Sequence, residues 1–297
     1  MRQAERGFLL LASHLGDPDR KPLTGAQLRV LAQRGREMEL DDPDRDLTER
    51  DLVQLGYGRE MAGRIVALLD EEARLDAYLS HGKRAGCVPI TRISDNYPVL
   101  LRQRLGLDAP AVLWARGAVS LLDAPAVALV GSRALNDKNR CFAAEVGKQA
   151  ANQGLALVSG NARGADRTAQ DACLGAGGAV ISVVADELAG KPLREKLLYL
   201  SEDGFSEPFS AQRALRRNRV IHALGWRVFV AQTGFRMGGT WDGTARNLRS
   251  GWSDVYCFAD GSPGAEELCC LGALPIRTAE LSDFASLPAR EPNLFDR

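Results

Sequence analysis

Two apolar runs of this chain are each followed at once by a glycine-containing turn and then by a helix-like stretch. Residues 127–130 lead into the turn 131–133 (Gly-Ser-Arg), and residues 155–158 lead into the turn 159–166 (Ser-Gly-Asn-Ala-Arg-Gly-Ala-Asp). A strand, a glycine turn and a helix in this order can bind phosphate, because the first helical N–H groups point at the anion. Two such turns predict one anion site at the carboxyl edge of a parallel sheet.

Short apolar runs continue to alternate with helix-like stretches after residue 85. The predicted strands are residues 127–130, 155–159, 179–184, 228–232 and 255–258, and the predicted helices between them include residues 140–153 and 166–174. Apolar strands that alternate with helices indicate a parallel sheet covered on both faces, whose carboxyl ends share one edge. The sequence therefore predicts an α/β fold, an extended Rossmann-like parallel sheet with helices on both faces.

The first 85 residues have helical patterns instead. Thr24 is a predicted N-cap, and Thr48 with Asp51 has the spacing of a capping box. The turn 55–58 resembles the hairpin of a helix-hairpin-helix module, although a glycine turn between helices is more often only a turn. We predict a small helical domain over residues 1–85 (SAM-like or helix-hairpin-helix-like), the Rossmann-like domain over 86–278, and a loosely held tail over 279–297. The acidic stretch 41–46 is expected to be a loop.

Composition limits the class of protein. Lysine plus arginine and aspartate plus glutamate number 38 each, so any anion binding must come from local patches. No apolar stretch approaches the roughly 20 residues that a membrane span needs. The six cysteines include no CxxC pair, which favours free thiols in a reducing compartment over a metal site. We expect a cytoplasmic protein without a metal or a cofactor.

The strongest local charge is the stretch 213–219, which has four arginines in seven residues. Such a run alone is as well explained by a solvated helix face, but beside two phosphate-type turns it favours binding of an anion or a nucleic acid. We expect Arg217 and Arg219 near the start of a helix, where the helix dipole would reinforce them.

Other residues of the predicted edge have open alternatives. Arg133 is suited to bidentate contact with a phosphate, although it could instead pair with an acid. Arg163 is expected at the rim, and Asp166 either caps a helix or holds a ligand hydroxyl. The glycines of the loop 232–240 allow close approach of a ligand. No base is evident for Ser132 or Ser159, and the chain has neither a P-loop nor a true G-x-G-x-x-G. This pattern favours binding over catalysis.

Taken in order, these motifs resemble the DNA-processing protein A family, also called Smf. The resemblance covers residues 5–276 and includes Tyr97-Pro98 and the segments 130–133, 159–166, 200–202, 216–221 and 238–245. It implies an extended Rossmann fold that binds single-stranded DNA, loads a RecA-type recombinase during natural transformation, acts as a homodimer and is not an enzyme. In that family the Gly-Ser-Arg arginine, here Arg133, belongs to a positive pocket, and the stretch 216–219 lies at the same edge. Such binding weakens as salt rises.

The chain departs from the family pattern at several places. Gln170 stands where the family commonly has histidine. The loop 186–192 is shortened, and Lys191 would then supply its basic contact. A short tail stands where a winged-helix domain is often found. The predicted phosphate- or DNA-binding residues are Gly131, Ser132, Arg133, Ser159, Gly160, Arg163, Gly164, Asp166, Lys191, Arg216, Arg217, Asn218, Arg219, Gly238, Gly239 and Thr240.

Two alternatives stay open on the same fold. One is a nucleotide-binding sensor, which could serve in defence. The other is a nucleotide phosphoribohydrolase. Such enzymes use a Gly-Gly-x-Gly-Thr loop, which residues 238–244 of this chain match only approximately, and the glutamate expected after the loop is missing at residues 245–247.

Overall fold

The described part of the chain forms a nine-stranded sheet flanked by helices, and five further helices precede the sheet. The structure is a computed structural model that describes residues 1–36 and 46–290. The strands are β1 (Cys87–Thr91), β2 (Val112–Gly117), β3 (Ala126–Val130), β4 (Ala156–Ser159), β5 (Ala179–Val183), β6 (Leu197–Ser201), β7 (Arg227–Val230), β8 (Asp254–Phe258) and β9 (Leu274–Ile276). Their order across the sheet is β1-β2-β6-β5-β4-β3-β7-β8-β9.

Five helices of the described residues precede β1, and the others lie between the strands or follow them. The helices are α1 (Gln3–Ala12), α2 (Gly25–Gly35), α3 (Glu49–Gln54), α4 (Arg59–Leu69), α5 (Glu72–Arg84), α6 (Val99–Leu105), α7 (Asp137–Asn152), α8 (Ala165–Gly175), α9 (Ala211–Leu224), α10 (Gly239–Ser250) and α11 (Pro263–Cys270).

The predicted α/β class is confirmed, with one addition at an edge of the sheet. The seven strands from β6 to β9 in the spatial order are parallel, whereas β1 pairs antiparallel with β2, and β2 with β6. The sheet is therefore mixed, and its parallel part is the part that the apolar strand pattern indicates.

The core lies on both faces of the sheet. Alternate residues of β3 point to opposite faces, so Val127 belongs to one buried cluster and Ala128 to the other. Phe142 of α7 lies in the first cluster and Val220 of α9 in the second, and both are fully buried. Because seven strands of the sheet are parallel, their carboxyl ends and the turns that follow them lie at one edge.

Helix starts in the first 85 residues follow the predicted caps. The Thr24 hydroxyl accepts the N–H of Gln27, and the Thr48 hydroxyl accepts the N–H of Asp51. Leu9 of α1 belongs to the same buried cluster as residues of the sheet. The division into domains at residue 85 stays a prediction, and the acidic stretch 41–46 lies outside the described residues except for Asp46.

The expectation of a loosely held tail from residue 279 is wrong for residues 279–290. Leu281 and Phe284 are fully buried, and the Tyr256 hydroxyl donates to the carbonyl of Pro288 at 2.6 Å. The polar composition of the tail conceals apolar residues spaced three apart that complete the core on one face of the sheet. Residues 291–297 lie outside the described part of the chain.

The described residues contain no helix long and apolar enough to cross a membrane. All six cysteines are free: Cys87, Cys173 and Cys257 are buried, Cys269 is half-buried, and Cys141 and Cys270 are exposed. Burial raises the pKa of the Cys173 thiol to about 11. Across residues 1–36 and 46–290, no group of three or more His, Cys, Asp or Glu side chains could hold a metal ion.

Candidate anion-binding site

The turns after β3 and β4 lie against each other at the carboxyl edge of the sheet. The N–H of Ala165 donates to the carbonyl of Ser132 at 3.1 Å. Glycine is required at both contacts: a Cβ on Gly131 would lie 2.5 Å from that of Ala165, and Gly164 has φ +82° and would overlap the Ser132 carbonyl. The predicted meeting of the two turns at one edge is therefore present in the structure.

Two adjoining cavities open at this edge. The larger, of about 380 Å³, is lined by predicted site residues Gly131, Ser132, Arg133, Asp166, Arg217, Asn218, Gly238, Gly239 and Thr240. The smaller, of about 200 Å³, is lined by Gly160 and Arg163 and again by Arg133 and Arg217. Residues predicted from four separate stretches of the chain thus line one pair of cavities, and two arginines are common to both.

Arg217 is the unusual member of this group, because its guanidinium is buried with few partners. The residue is 7% exposed, and its Nε has no hydrogen-bond partner among the described residues. Its Nη2 lies 3.9 Å from Oδ2 of Asp166, beyond hydrogen-bond distance. A Cβ on Gly160 would overlap the guanidinium, so the second turn admits this arginine only because it has glycine there.

Burial also acts on the charges of this pair. It lowers the pKa of Arg217, and it raises the pKa of Asp166, an effect that the neighbouring Arg217 opposes. An arginine stays charged in proteins, so the cavity holds a poorly solvated cation.

Arg133 reaches the cavities from an exposed position. Its guanidinium carbon lies 5.9 Å from the ring centroid of Phe209, a residue of the smaller cavity. The turn that carries Arg133 is held in place by Gln232, which follows β7. The N–H of Ser132 donates to the Gln232 carbonyl at 2.9 Å, and the Gln232 amide donates to the Ala134 carbonyl at 3.2 Å.

The other arginines of α9 do not line either cavity. Both terminal nitrogens of Arg219 bond to Glu202, at 2.9 and 2.6 Å, and Arg216 pairs with Asp203. Arg217 and Arg219 lie in the middle of α9, where Arg217 is the seventh of 14 residues, and not near its start as predicted. The helix dipole acts only within the first turn and so does not reinforce them.

Three further predicted residues lie away from the cavities. Ser159 is fully buried and accepts a hydrogen bond from the Gln170 amide at 2.6 Å. Gly164 packs beneath the first turn, and Lys191 pairs with Asp186 at 2.5 Å instead of facing the cavities. Gln170, which stands where the resemblance expects histidine, also donates to the Ser182 hydroxyl at 3.2 Å and so joins β4, α8 and β5.

The model of the family "DNA recombination-mediator protein A" matches residues 89–260, which include all the strands from β2 to β8 and both glycine turns. The chain belongs to this family. DNA processing protein DprA of Streptococcus pneumoniae is 37% identical over 141 residues, which are 44% of this chain and 50% of the relative. A putative DNA processing protein DprA of Mycobacterium tuberculosis is 30% identical over 211 residues, 63% of this chain and 54% of the relative. The chain spans about half the length of the curated relatives it matches.

Solved structures of DNA processing protein A share the fold. The X-ray structure of the S. pneumoniae protein has a TM-score of 0.60 and 26% identity, with 86% of this chain and 95% of that chain covered. DNA processing protein A of Helicobacter pylori has a TM-score of 0.54 and 22% identity, with 64% of this chain and 90% of that chain covered.

Sequence reasoning missed three residues at or below the cavities of this family member. Asn161 has φ +60° and lines the smaller cavity, and an asparagine inside a glycine-rich turn is the signal that could have found it. Phe209 is 58% exposed and precedes the arginine run. His222 is fully buried one turn after Asn218, and burial, with a smaller effect of Arg217, lowers its pKa to about 3. Its sequence context offered no signal.

Proposed function

We propose that this chain binds single-stranded DNA through the paired cavities and acts in DNA processing for recombination or DNA uptake. The observation that carries the proposal is the buried guanidinium of Arg217, which faces both cavities beside Arg133. A buried charge with an unpaired donor is costly, and a phosphate oxygen would supply an acceptor. Arg163 at the rim of the smaller cavity adds a third cation.

The relatives support the same proposal. The structure of the H. pylori protein is described as giving insight into a unique mode of binding single-stranded DNA. The matched family is that of recombination mediators. We therefore propose a RecA-type recombinase as the protein partner, a homodimer as the working form and no catalytic activity.

Binding of a fluorescein-labelled oligothymidylate of about 20 nucleotides, followed by fluorescence anisotropy, tests the DNA part of the proposal. Each phosphate contact on a single strand gives a salt slope of about −0.7, so three contacts weaken binding roughly 20-fold between about 50 and 200 mM salt. We expect micromolar or tighter binding at the lower salt.

Two arginine variants locate the binding site. Arg217→Gln removes the buried cation and should weaken binding at least tenfold and reduce the salt dependence. Arg249→Gln removes an equally charged side chain at the other end of α10, whose first residue is Gly239, and should leave binding unchanged. Absence of binding at low salt, or equal losses in both variants, would show that these cavities are not the DNA site.

A free nucleotide is the second candidate ligand, because the larger cavity of about 380 Å³ lies in the size range of small-molecule sites. Incubation with nucleoside monophosphates and chromatography of the products tests the phosphoribohydrolase alternative. Release of free base that Arg217→Gln abolishes would establish catalysis in place of DNA binding alone.

A further inference from the structure

Resting on the proposed function, we propose that the larger cavity selects a phosphate with one negative charge, as found inside a strand, over a terminal phosphate with two. Asp166 is the specificity-determining residue. The chain would then bind internal phosphodiesters of single-stranded DNA in preference to phosphorylated ends or free nucleotides.

The first observation is the charge of the lining. Arg133, Asp166 and Arg217 are the charged side chains among the described residues that line the larger cavity. They sum to one positive charge, which a phosphodiester balances. A phosphate with a second charge would leave an excess negative charge inside the cavity.

The second observation is that the carboxylate of Asp166 is fixed in position. Asp166 is 6% exposed, it belongs to the first turn of α8, and its Oδ2 accepts the N–H of Ala162 at 3.1 Å. The carboxylate also lies beside the guanidinium of Arg217, with 3.9 Å between Nη2 and Oδ2. The carboxylate therefore stays beside any phosphate that the guanidinium binds.

The third observation is the low screening at this place. Asp166 and Arg217 are both buried, and charges at buried sites interact more strongly than charges in water. The acid is faced by Arg217 from α9 and by Arg133 from the turn after β3, whereas the residues that line the cavity from the loop after β7 are uncharged. Burial also raises the pKa of Asp166, so acidification that protonates this carboxyl weakens its repulsion of a bound phosphate.

Competition with two matched nucleotides tests the selection. Thymidine 5′-monophosphate and its methyl phosphate ester differ in one ionisable oxygen, and the second pKa of a phosphate monoester is about 6. Each is used to displace the labelled oligothymidylate from the full chain. At about pH 8, where only the monophosphate carries two charges, the ester should displace the DNA at a roughly tenfold lower concentration.

At about pH 5.5 most of the monophosphate also carries one charge, so the two should displace the DNA at concentrations within about twofold of each other. In Asp166→Asn the difference at the higher pH should disappear, because the amide keeps an acceptor for Ala162 but has no charge. Asp171 is an exposed carboxylate on the same helix, so Asp171→Asn should keep the preference for the ester.

The outcomes separate this inference from the proposed function. If the oligonucleotide does not bind, the proposed function fails first. If it binds but the monophosphate competes as well as the ester at the higher pH, or neither competes, the selection is refuted and DNA binding stands. The pH comparison on the native chain decides the question even if Asp166→Asn does not fold.

Discussion

Replacing Gly160 with alanine is the most direct test of the link between the second turn and Arg217. The added methyl group would overlap the guanidinium, which lies directly over the turn. Gly160 does not have a positive φ, so the backbone itself accepts alanine there. The substitution therefore acts on the position of Arg217 and leaves its charge unchanged.

The size of the effect follows from the contact that is lost. The far end of a flexible side chain can move into the cavity, so we expect the free energy of unfolding to change by less than about 1 kcal/mol. A hydrogen bond to a charged group contributes about 1.5–3 kcal/mol, and about 1.4 kcal/mol is a factor of ten in Kd. Displacement of the guanidinium should therefore weaken binding of single-stranded DNA about 10- to 100-fold.

Fluorescence anisotropy with the labelled oligothymidylate gives the Kd, and thermal unfolding shows whether the fold is kept. Gly175→Ala is the matched control, because Gly175 ends α8, has no atom within 4 Å of an added Cβ and has no positive φ. A Gly160→Ala chain that is folded and binds DNA as tightly as the native chain would refute the role assigned to Arg217.

Three further predictions concern the body of the protein. Burial lowers the pKa of His222 to about 3 from 6.5, so the folded state binds fewer protons than the unfolded state. The contribution of neutral His222 to the free energy of unfolding is complete above pH 6.5 and falls by about 2 kcal/mol at pH 5. Urea unfolding above pH 6.5 and at pH 5 should show this loss in the native chain and a smaller loss in His222→Gln, and equal losses in the two chains would contradict it. Phe284→Ala should lower the free energy of unfolding by about 3–5 kcal/mol because its ring is fully buried, and an unchanged melting temperature would show that the tail is not part of the core. Gln170→Leu should cost about 1–3 kcal/mol, measured by the same urea titration, since it leaves the hydroxyls of Ser159 and Ser182 without this donor; a stability equal to that of the native chain would argue against the bridge.

The central strands β3, β4, β5, β7 and β8 were predictable because each is a short, mainly apolar run, and β3 and β4 are also followed directly by glycine turns. The strand β6 was missed although all five of its residues are buried, since the segment between β5 and β6 forms no helix and the alternation of strands with helices fails there. The strands β1 and β2 were missed because they extend the sheet in the antiparallel sense, and antiparallel strands need no crossover helix that would mark them in the sequence.

The site was predictable from glycine and arginine positions, but only in part. Glycines that permit close approach mark both turns in the sequence, and the structure brings these turns together. The fate of the α9 arginines was not predictable, because their acidic partners Glu202 and Asp203 come from the loop after β6. Only the tertiary fold distinguishes Arg217, which faces the cavities, from its paired neighbours.

The paired arginines of α9 also determine how the chain meets its ligand. Arg213, Arg216 and Arg219 each face a carboxylate, so their fields largely cancel beyond the surface, and the whole chain has no net charge. Long-range attraction of a polyanion is then weak, and the association rate constant should lie near the unsteered range of about 10⁵–10⁶ M⁻¹s⁻¹. Added salt should consequently shorten the lifetime of the complex more than it slows the encounter.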